Sequence, residues 1–270
     1  MQSTSIIIST YNKPHFLKKV LTGYTCQTNK DFSIIIADDG SDHHTTDLIS
    51  EFISKTNLDI SHVWHKDDGF RKSTILNKAI LKSESDYLIF SDGDCIPDQY
   101  FVATHLTLRK KGYFLSGGHF PLSRTISKLI TEEHIISQEC FSKKFLRRNG
   151  QPLSKKYLKL LKTSFFSKIL DQITPTKSTF NGNNVSAWRE DILKVKGFDE
   201  RMEYGGLDCE LGYRLKNINI KSKQIRHQAS CLHLYHDRPY KNKLAILKNR
   251  SIKKQTLKEE INITSFGNKS

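Results

Sequence analysis

The stretch YLIFSDGDCIPD, residues 87–98, places two carboxylates, Asp92 and Asp94, one glycine apart behind four apolar residues, Tyr87 to Phe90. So short an apolar run reads as a strand buried on both sheet faces. Both acids then emerge together where that strand ends. Like charges held this close repel unless a cation or hydrogen-bond donors lie between them. A plain turn would also place Asp and Gly here, so the surroundings must decide.

The same pattern recurs upstream. SIIIS at 5–9, SIIIAD at 33–38 and ISHVW at 60–64 are short, β-branched and apolar. Between them lie segments with helical spacing. Pro14 sits where a first helical turn tolerates proline, followed by Leu17, Val20, Leu21 and Tyr24. Leu48, Ile49, Phe52 and Ile53 form a second face, and Ile75, Leu76, Ala79 and Ile80 a third. Strand alternating with helix predicts an α/β chain with a Rossmann-like, mostly parallel central sheet flanked by helices. Ligands of such sheets bind outside the carboxyl ends of the strands. STYN at 9–12, DDGS at 38–41 and SDGD at 91–94 all fall there.

Beyond about residue 120 the rhythm stops. A basic helical insert is expected over about 120–178, between a nucleotide-binding half at 1–118 and an acceptor and catalytic half at 179–240. The lysine-rich tail, 241–270, is weakly patterned and expected to be helical or partly disordered. Within the insert, LSKKYLKLLKTSFFSKIL predicts a helix with Leu158, Leu161, Phe165 and Ile169 on one stripe, and Lys155, Lys156, Lys159, Lys162 and Lys168 off it. That stripe either packs on the core or lies on an anionic membrane or acceptor.

With 270 residues the chain suits one large α/β domain. Its apolar runs fall far short of the roughly 20 residues that cross a bilayer, and no apolar leader follows Met1. A soluble, cytoplasmic location is expected, with the inner face of the cytoplasmic membrane as a peripheral site. Five cysteines, odd in number and without a CxxC pair, predict reduced thiols rather than a disulfide framework or a structural zinc site. A net charge of +15 calls for an anionic partner: nucleic acid, membrane or nucleotide. No RNA-recognition motif, zinc finger or helix-turn-helix is present, so nucleic acid is not the expected partner.

The segments IIISTYNKPHFLKKVL, IIIADDGSDHHT and KDDGFRKSTILNKAI, then the Asp-x-Asp pair, then FNGNNVSAWREDILKVKGFDE and EYGGLDCELGYRL, stand in the order found in the family 2 glycosyltransferases with the GT-A fold. The chain resembles that family over residues 4–240 apart from the insert, and is similar in its second half to bacterial polysaccharide transferases, chondroitin polymerases and β-1,4-galactosyltransferases. The resemblance implies an inverting transferase that moves a hexose or N-acetylhexosamine from a UDP-sugar donor to a glycan or lipid-linked glycan acceptor of lipopolysaccharide or capsule type. It implies that Asp39 accepts from the uracil with Thr10 and Tyr11 flanking the base, that Arg71 meets base or diphosphate, and that Gly182 lies at the sugar nucleotide. Asp92 would approach ribose and metal, and Asp94 would ligate Mn²⁺ (or Mg²⁺). His236, with His233 as second choice, would complete the metal site. Residues three apart point to opposite faces of a regular strand, so joint ligation needs a strand end, for which Pro239 speaks. Asp208 would be the catalytic base.

Each residue also has a plainer reading: an Asx-turn for Asp39, a solvated arginine, a structural histidine pair, a helix N-cap for Asp208. The first acid of the family's usual pair is replaced by Leu207, with Glu210 just beyond Asp208. A nucleotidylyltransferase would need a glycine-rich phosphate loop after the first strand, which STYNKPHF lacks. A non-enzymatic basic protein that binds nucleic acid or membrane is the third reading.

Overall fold

The computed structural model describes residues 2–161 and 164–268. The apolar runs form parallel strands β1 (Thr4–Thr10), β2 (Ser33–Asp38), β3 (Asp59–Trp64) and β4 (Tyr87–Asp92). There follow β5 (Cys95–Pro97), β6 (Tyr113–Ser116), β7 (Gly118–Pro121), β8 (Asn184–Trp188), β9 (Lys221–Gln224) and β10 (Ser230–His233). A seven-stranded sheet runs β3-β2-β1-β4-β8-β6-β9, with β8 antiparallel to both neighbours. A three-stranded sheet runs β5-β10-β7.

Strand β1 shows why both faces are covered. Ile6 and Ile8 join an apolar cluster with Leu17, Val20 and Leu21 of helix Pro14–Thr25. Ile7 joins a second with Ile75, Leu76, Ala79 and Ile80 of helix Lys72–Lys82. A period of two sends successive isoleucines to opposite sides. The first helix opens on Pro14, where no amide is needed. Asp42 caps helix His43–Lys55 by accepting the His44 amide. β1 lies between β2 and β4, so the chain leaves it in both directions along the sheet and a crevice opens at its carboxyl end. Thr10 there faces Asp38, and Ser9 faces Asp92.

The basic insert differs from its expected form. Helices Arg124–Leu129, Glu132–Ile136 and Lys143–Arg148 pack Ile126, Ile135, Phe145 and Leu146 into the first cluster. The single helix expected across 153–170 is instead a short 3-10 helix, Lys155–Leu160, and a separate helix, Ser164–Ile173. Leu158, Leu161, Phe165 and Ile169 are all exposed, so the stripe does not pack on the core. Lys159 is not free on the surface either; its ammonium donates to the His119 carbonyl at 2.8 Å. Lys162 lies outside the described residues.

The tail is a packed helix, Lys243–Lys258, set against helix Leu207–Asn217. This is the helical of the two expected forms; apolar patterning is weak there because polar residues anchor it. Asn249 donates to the carbonyls of Glu203, Tyr204 and Gly205, and Thr256 to Glu210. None of the five cysteines is in a disulfide. Among the described residues no helix is long and apolar enough to cross a membrane.

Candidate active site

Asp92 closes β4 and Cys95 opens β5, so Gly93 and Asp94 carry the chain from the large sheet to the small one. The Gly93 amide donates to the Ser9 carbonyl at 2.8 Å. A Cβ at Gly93 would stand 3.1 Å from that oxygen and from Thr10 Oγ1, so any other residue here would need the end of β1 to give by a few tenths of an ångström. Asp92 Oδ1 accepts from the Ser9 hydroxyl at 2.7 Å and from the Lys72 ammonium at 2.6 Å.

Asp94 meets β10 instead. His236 Nε2 lies 2.8 Å from its Oδ2 and His233 Nε2 3.7 Å from its Oδ1. β10 ends at His233, and the turn that follows brings both histidines to one carboxylate, their rings stacked 5.5 Å apart. Burial works to raise the Asp94 carboxyl, but the His236 hydrogen bond and the charges of His233, His236 and Lys13 hold it well below the usual carboxylate range. Asp94, Cys95 and His233 bring potential ligand atoms within 4.8 Å of one another. The Cys95 thiol is fully buried, and burial pushes it well above its ordinary value. A carboxylate and two imidazoles suit Mn²⁺ better than Mg²⁺, nitrogen being the softer donor.

Asp39, just past β2, has Oδ1 at 2.8 Å from His65 Nε2, while Oδ2 accepts the Arg71 amide at 3.0 Å. Burial pushes its carboxyl up against the pull of both. The local turn is held by its neighbour instead: Asp38 Oδ1 accepts the amide of Ser41, three residues on, at 2.8 Å. Thr10, Tyr11 and Asp39 line one wall of a cavity of about 630 Å³, and Asp92, Asp94, His233 and His236 line the same cavity. The Tyr11 hydroxyl donates to Asp67 at 2.8 Å.

The guanidinium of Arg71 is not in that lining. It donates to the Lys66 carbonyl at 3.0 Å and lies 3.4 Å from Asp68 Oδ2. Adjacent residues at a helix start point about 100° apart, and it is Lys72 that enters the cavity. Lys13 and Arg238 add two further cations to its lining, and Phe70, Tyr204 and Tyr240 an aromatic wall with centroids 4.9–6.2 Å apart.

Asp208 faces this assembly from helix Leu207–Asn217. Gly206, at φ 91°, is the N-cap, a left-handed conformation costly for other residues. Asp208 therefore sits in the first turn rather than capping the helix. Its Oδ1 is buried without a hydrogen-bond partner among the described residues. A Cβ on Gly182 would stand 2.5 Å from that oxygen, so glycine leaves room for the carboxylate. Burial pushes the Asp208 carboxyl up to about 6, with Lys72 pulling it down and Asp92 pushing it up. Leu207 turns into the core, and Glu210 is buried against Arg214, its Oε2 accepting from Nη2 at 2.7 Å. Neither stands in for the missing acid.

Sequence reasoning missed Lys13, Lys72, His65, Arg238, Tyr204 and Tyr240. For Lys72 a signal exists: in FRKST it stands directly beside Arg71.

An acid-lined crevice at the β1/β4 switch point, with antiparallel β8 beyond it, is the architecture of the GT-A fold. The structure of GalNAc-T7 with UDP, GalNAc and Mn²⁺ shares it, with a TM-score of 0.63 over 99% of this chain and 52% of that one, at 15% identity. S. aureus TarS 1-349 in complex with UDP-GlcNAc matches with a TM-score of 0.59 over 88% of this chain and 60% of that one, at 14% identity. Residues 5–169 match the pattern of glycosyl transferase family 2, and the chain belongs to that family. A chondroitin synthase of Pasteurella multocida (strain Pm70) is 30% identical over 222 residues, 78% of this chain and 22% of the synthase. The chain thus spans about a fifth of that relative's length.

Proposed function

We propose that this chain is an inverting, divalent-metal-dependent glycosyltransferase that moves a hexose or N-acetylhexosamine from a UDP-sugar to a hydroxyl of a growing surface glycan, of lipopolysaccharide or capsule type. The observation that carries the reading is the convergence of Asp94, His233 and His236 beside Asp92, in one cavity with Asp208. The nucleotides bound in the similar structures, UDP-GlcNAc in TarS and UDP in GalNAc-T7, support a uridine nucleotide.

Displacing a sugar from a diphosphate requires charge neutralisation on the leaving group and removal of a proton from the attacking hydroxyl. Asp39 accepts from the uracil through free lone pairs, with Thr10 and Tyr11 beside the base. Asp94, His233 and His236 would hold Mn²⁺ (or Mg²⁺), which would supply positive charge to the diphosphate when bound. Lys72 orients Asp92 and, with Lys13 and Arg238, offers charge to phosphate oxygens. Asp208 takes the proton from the acceptor hydroxyl. A single base facing the anomeric carbon gives direct displacement and inversion. The excess of positive charge supports a cytoplasmic protein held peripherally on the anionic inner face of the membrane.

The test is calorimetric titration of UDP with and without Mn²⁺. Wild type should bind with a metal-dependent gain that Asp94→Asn abolishes, a loss at least as large as the about 10–100-fold carried by outer-shell partners of metal sites. Absence of UDP binding under every condition would sink the reading. The same titration separates the neighbouring cations. Lys72→Met should weaken UDP about tenfold or more, the worth of a hydrogen bond to a charged group at roughly 1.5–3 kcal/mol. Arg71→Met, whose side chain lies outside the cavity, should change it much less; equal losses would place Arg71 at the nucleotide.

A further inference from the structure

Helix Ser164–Ile173 is mounted with its polar side inward. Ser167 and Asp171 are buried, whereas Phe165, Phe166, Ile169 and Ile173 are 68%, 59%, 36% and 68% exposed. At about 100° per residue these four share one arc of roughly 100°. A helix held to a core by its own apolar stripe has the reverse arrangement. Hydrogen bonds hold this one: Asp171 Oδ1 accepts the His227 amide at 2.9 Å and lies 2.9 Å from His227 Nδ1, and its Oδ2 accepts from Gln228 at 2.9 Å. Ser167 donates to the Leu161 carbonyl. Rolling the helix over to hide the apolar arc would break all of these bonds to Asp171, so the outward face is fixed by the packing.

What that face meets is indicated by charge. Between residues 153 and 177 the only acid is the buried Asp171, whereas Lys155, Lys156, Lys168 and Lys177 are exposed. Leu153, Leu158 and Leu161, in the segment just before, are exposed as well. Large apolar side chains interleaved with lysines fit an interface of acyl chains and anionic headgroups. A second copy of a chain with a charge of +15 would bring like charges together.

We propose that the face of Phe165, Phe166, Ile169 and Ile173, with Lys155, Lys156 and Lys168, docks on an anionic phospholipid bilayer. The proposal rests on the membrane placement given above and not on the nucleotide site.

The experiment is co-sedimentation of the full chain, at physiological salt, with vesicles of phosphatidylcholine alone and of phosphatidylcholine mixed with phosphatidylglycerol. Thermal melting of each variant runs beside it as the control for folding. Wild type should partition at least about tenfold better onto the anionic vesicles, and the triple variant Phe165→Ser, Phe166→Ser, Ile169→Ser should lose about tenfold or more while melting cooperatively as wild type does. Wild type left in the supernatant overturns the membrane placement. Equal retention of wild type and triple variant overturns this face while charge-driven attachment survives. A dimer of the wild type that the triple variant abolishes, without vesicle binding, assigns the face to a second copy and overturns the proposal. None of these outcomes depends on whether UDP binds.

Discussion

Asp208→Asn is expected to leave UDP affinity within about twofold of wild type and to lower sugar transfer by roughly 10²–10⁴-fold, the usual worth of a positioned general base. The asparagine keeps the shape of the side chain and loses only the capacity to take a proton. Because the carboxyl is pushed up to about 6, the base is ionised above that value and protonated below it. Wild-type kcat/KM should therefore rise with pH through about 6, and the residual activity of the variant should lack that limb. The sign for stability is opposite to that for activity. A carboxyl whose folded pKa lies above its unfolded one binds protons more readily when folded, so its contribution is most favourable at low pH and is lost as pH rises through about 6. Near neutrality the charged form is a liability to the fold, and Asp208→Asn should melt no lower than wild type. Wild-type turnover in the variant, or loss of UDP binding, would remove Asp208 from the role.

Arg214→Met is expected to cost about 3–5 kcal/mol of folding free energy, read as the shift in a urea titration. Arg214 is fully buried and its guanidinium serves Glu210, the Gly197 carbonyl at 2.7 Å and the Val195 carbonyl. Removing it leaves Glu210, itself buried, without its cation. Against a total stability of typically 5–15 kcal/mol this is a large fraction. Converting Glu210 to Gln as well should recover part of the loss, since the stranded charge goes too. A single variant no less stable than wild type would show that the pair contributes nothing net.

Much of this was legible along the chain because the relevant signals are local. Isoleucine runs in SIIIS and SIIIAD, Pro14 at a helix start and apolar faces such as Ile75, Leu76, Ala79 and Ile80 depend on neighbours within a turn or two. So does the emergence of Asp92 and Asp94 at a strand end. The roles of Arg71 and Lys72 were not legible, because one residue of rotation at the start of helix Lys72–Lys82 decides which cation enters the cavity. Nor was the orientation of Ser164–Ile173, whose stripe has ordinary amphipathic spacing; only partners at His227 and Gln228 turn its polar side inward. For Lys243–Lys258 a helix was among the expected forms but its packing was not legible, its anchors being Asn249 and Thr256. The Glu210–Arg214 pair looks like any surface i, i+4 pair until the tertiary structure buries it.

Asp94 leaves the large sheet early in the chain, whereas His233 and His236 arrive with β10, the last strand of either sheet. The proposed ligand set is therefore a late product of folding: closing it needs contacts of high sequence separation, which are slow to form. During synthesis the first four strands leave the ribosome well before the histidines do, so a nascent chain can order the wall proposed for the nucleotide before the proposed metal site exists. Metal capture would then mark completion of the small sheet, and a chain stalled before β10 would carry the acidic pair without its imidazoles.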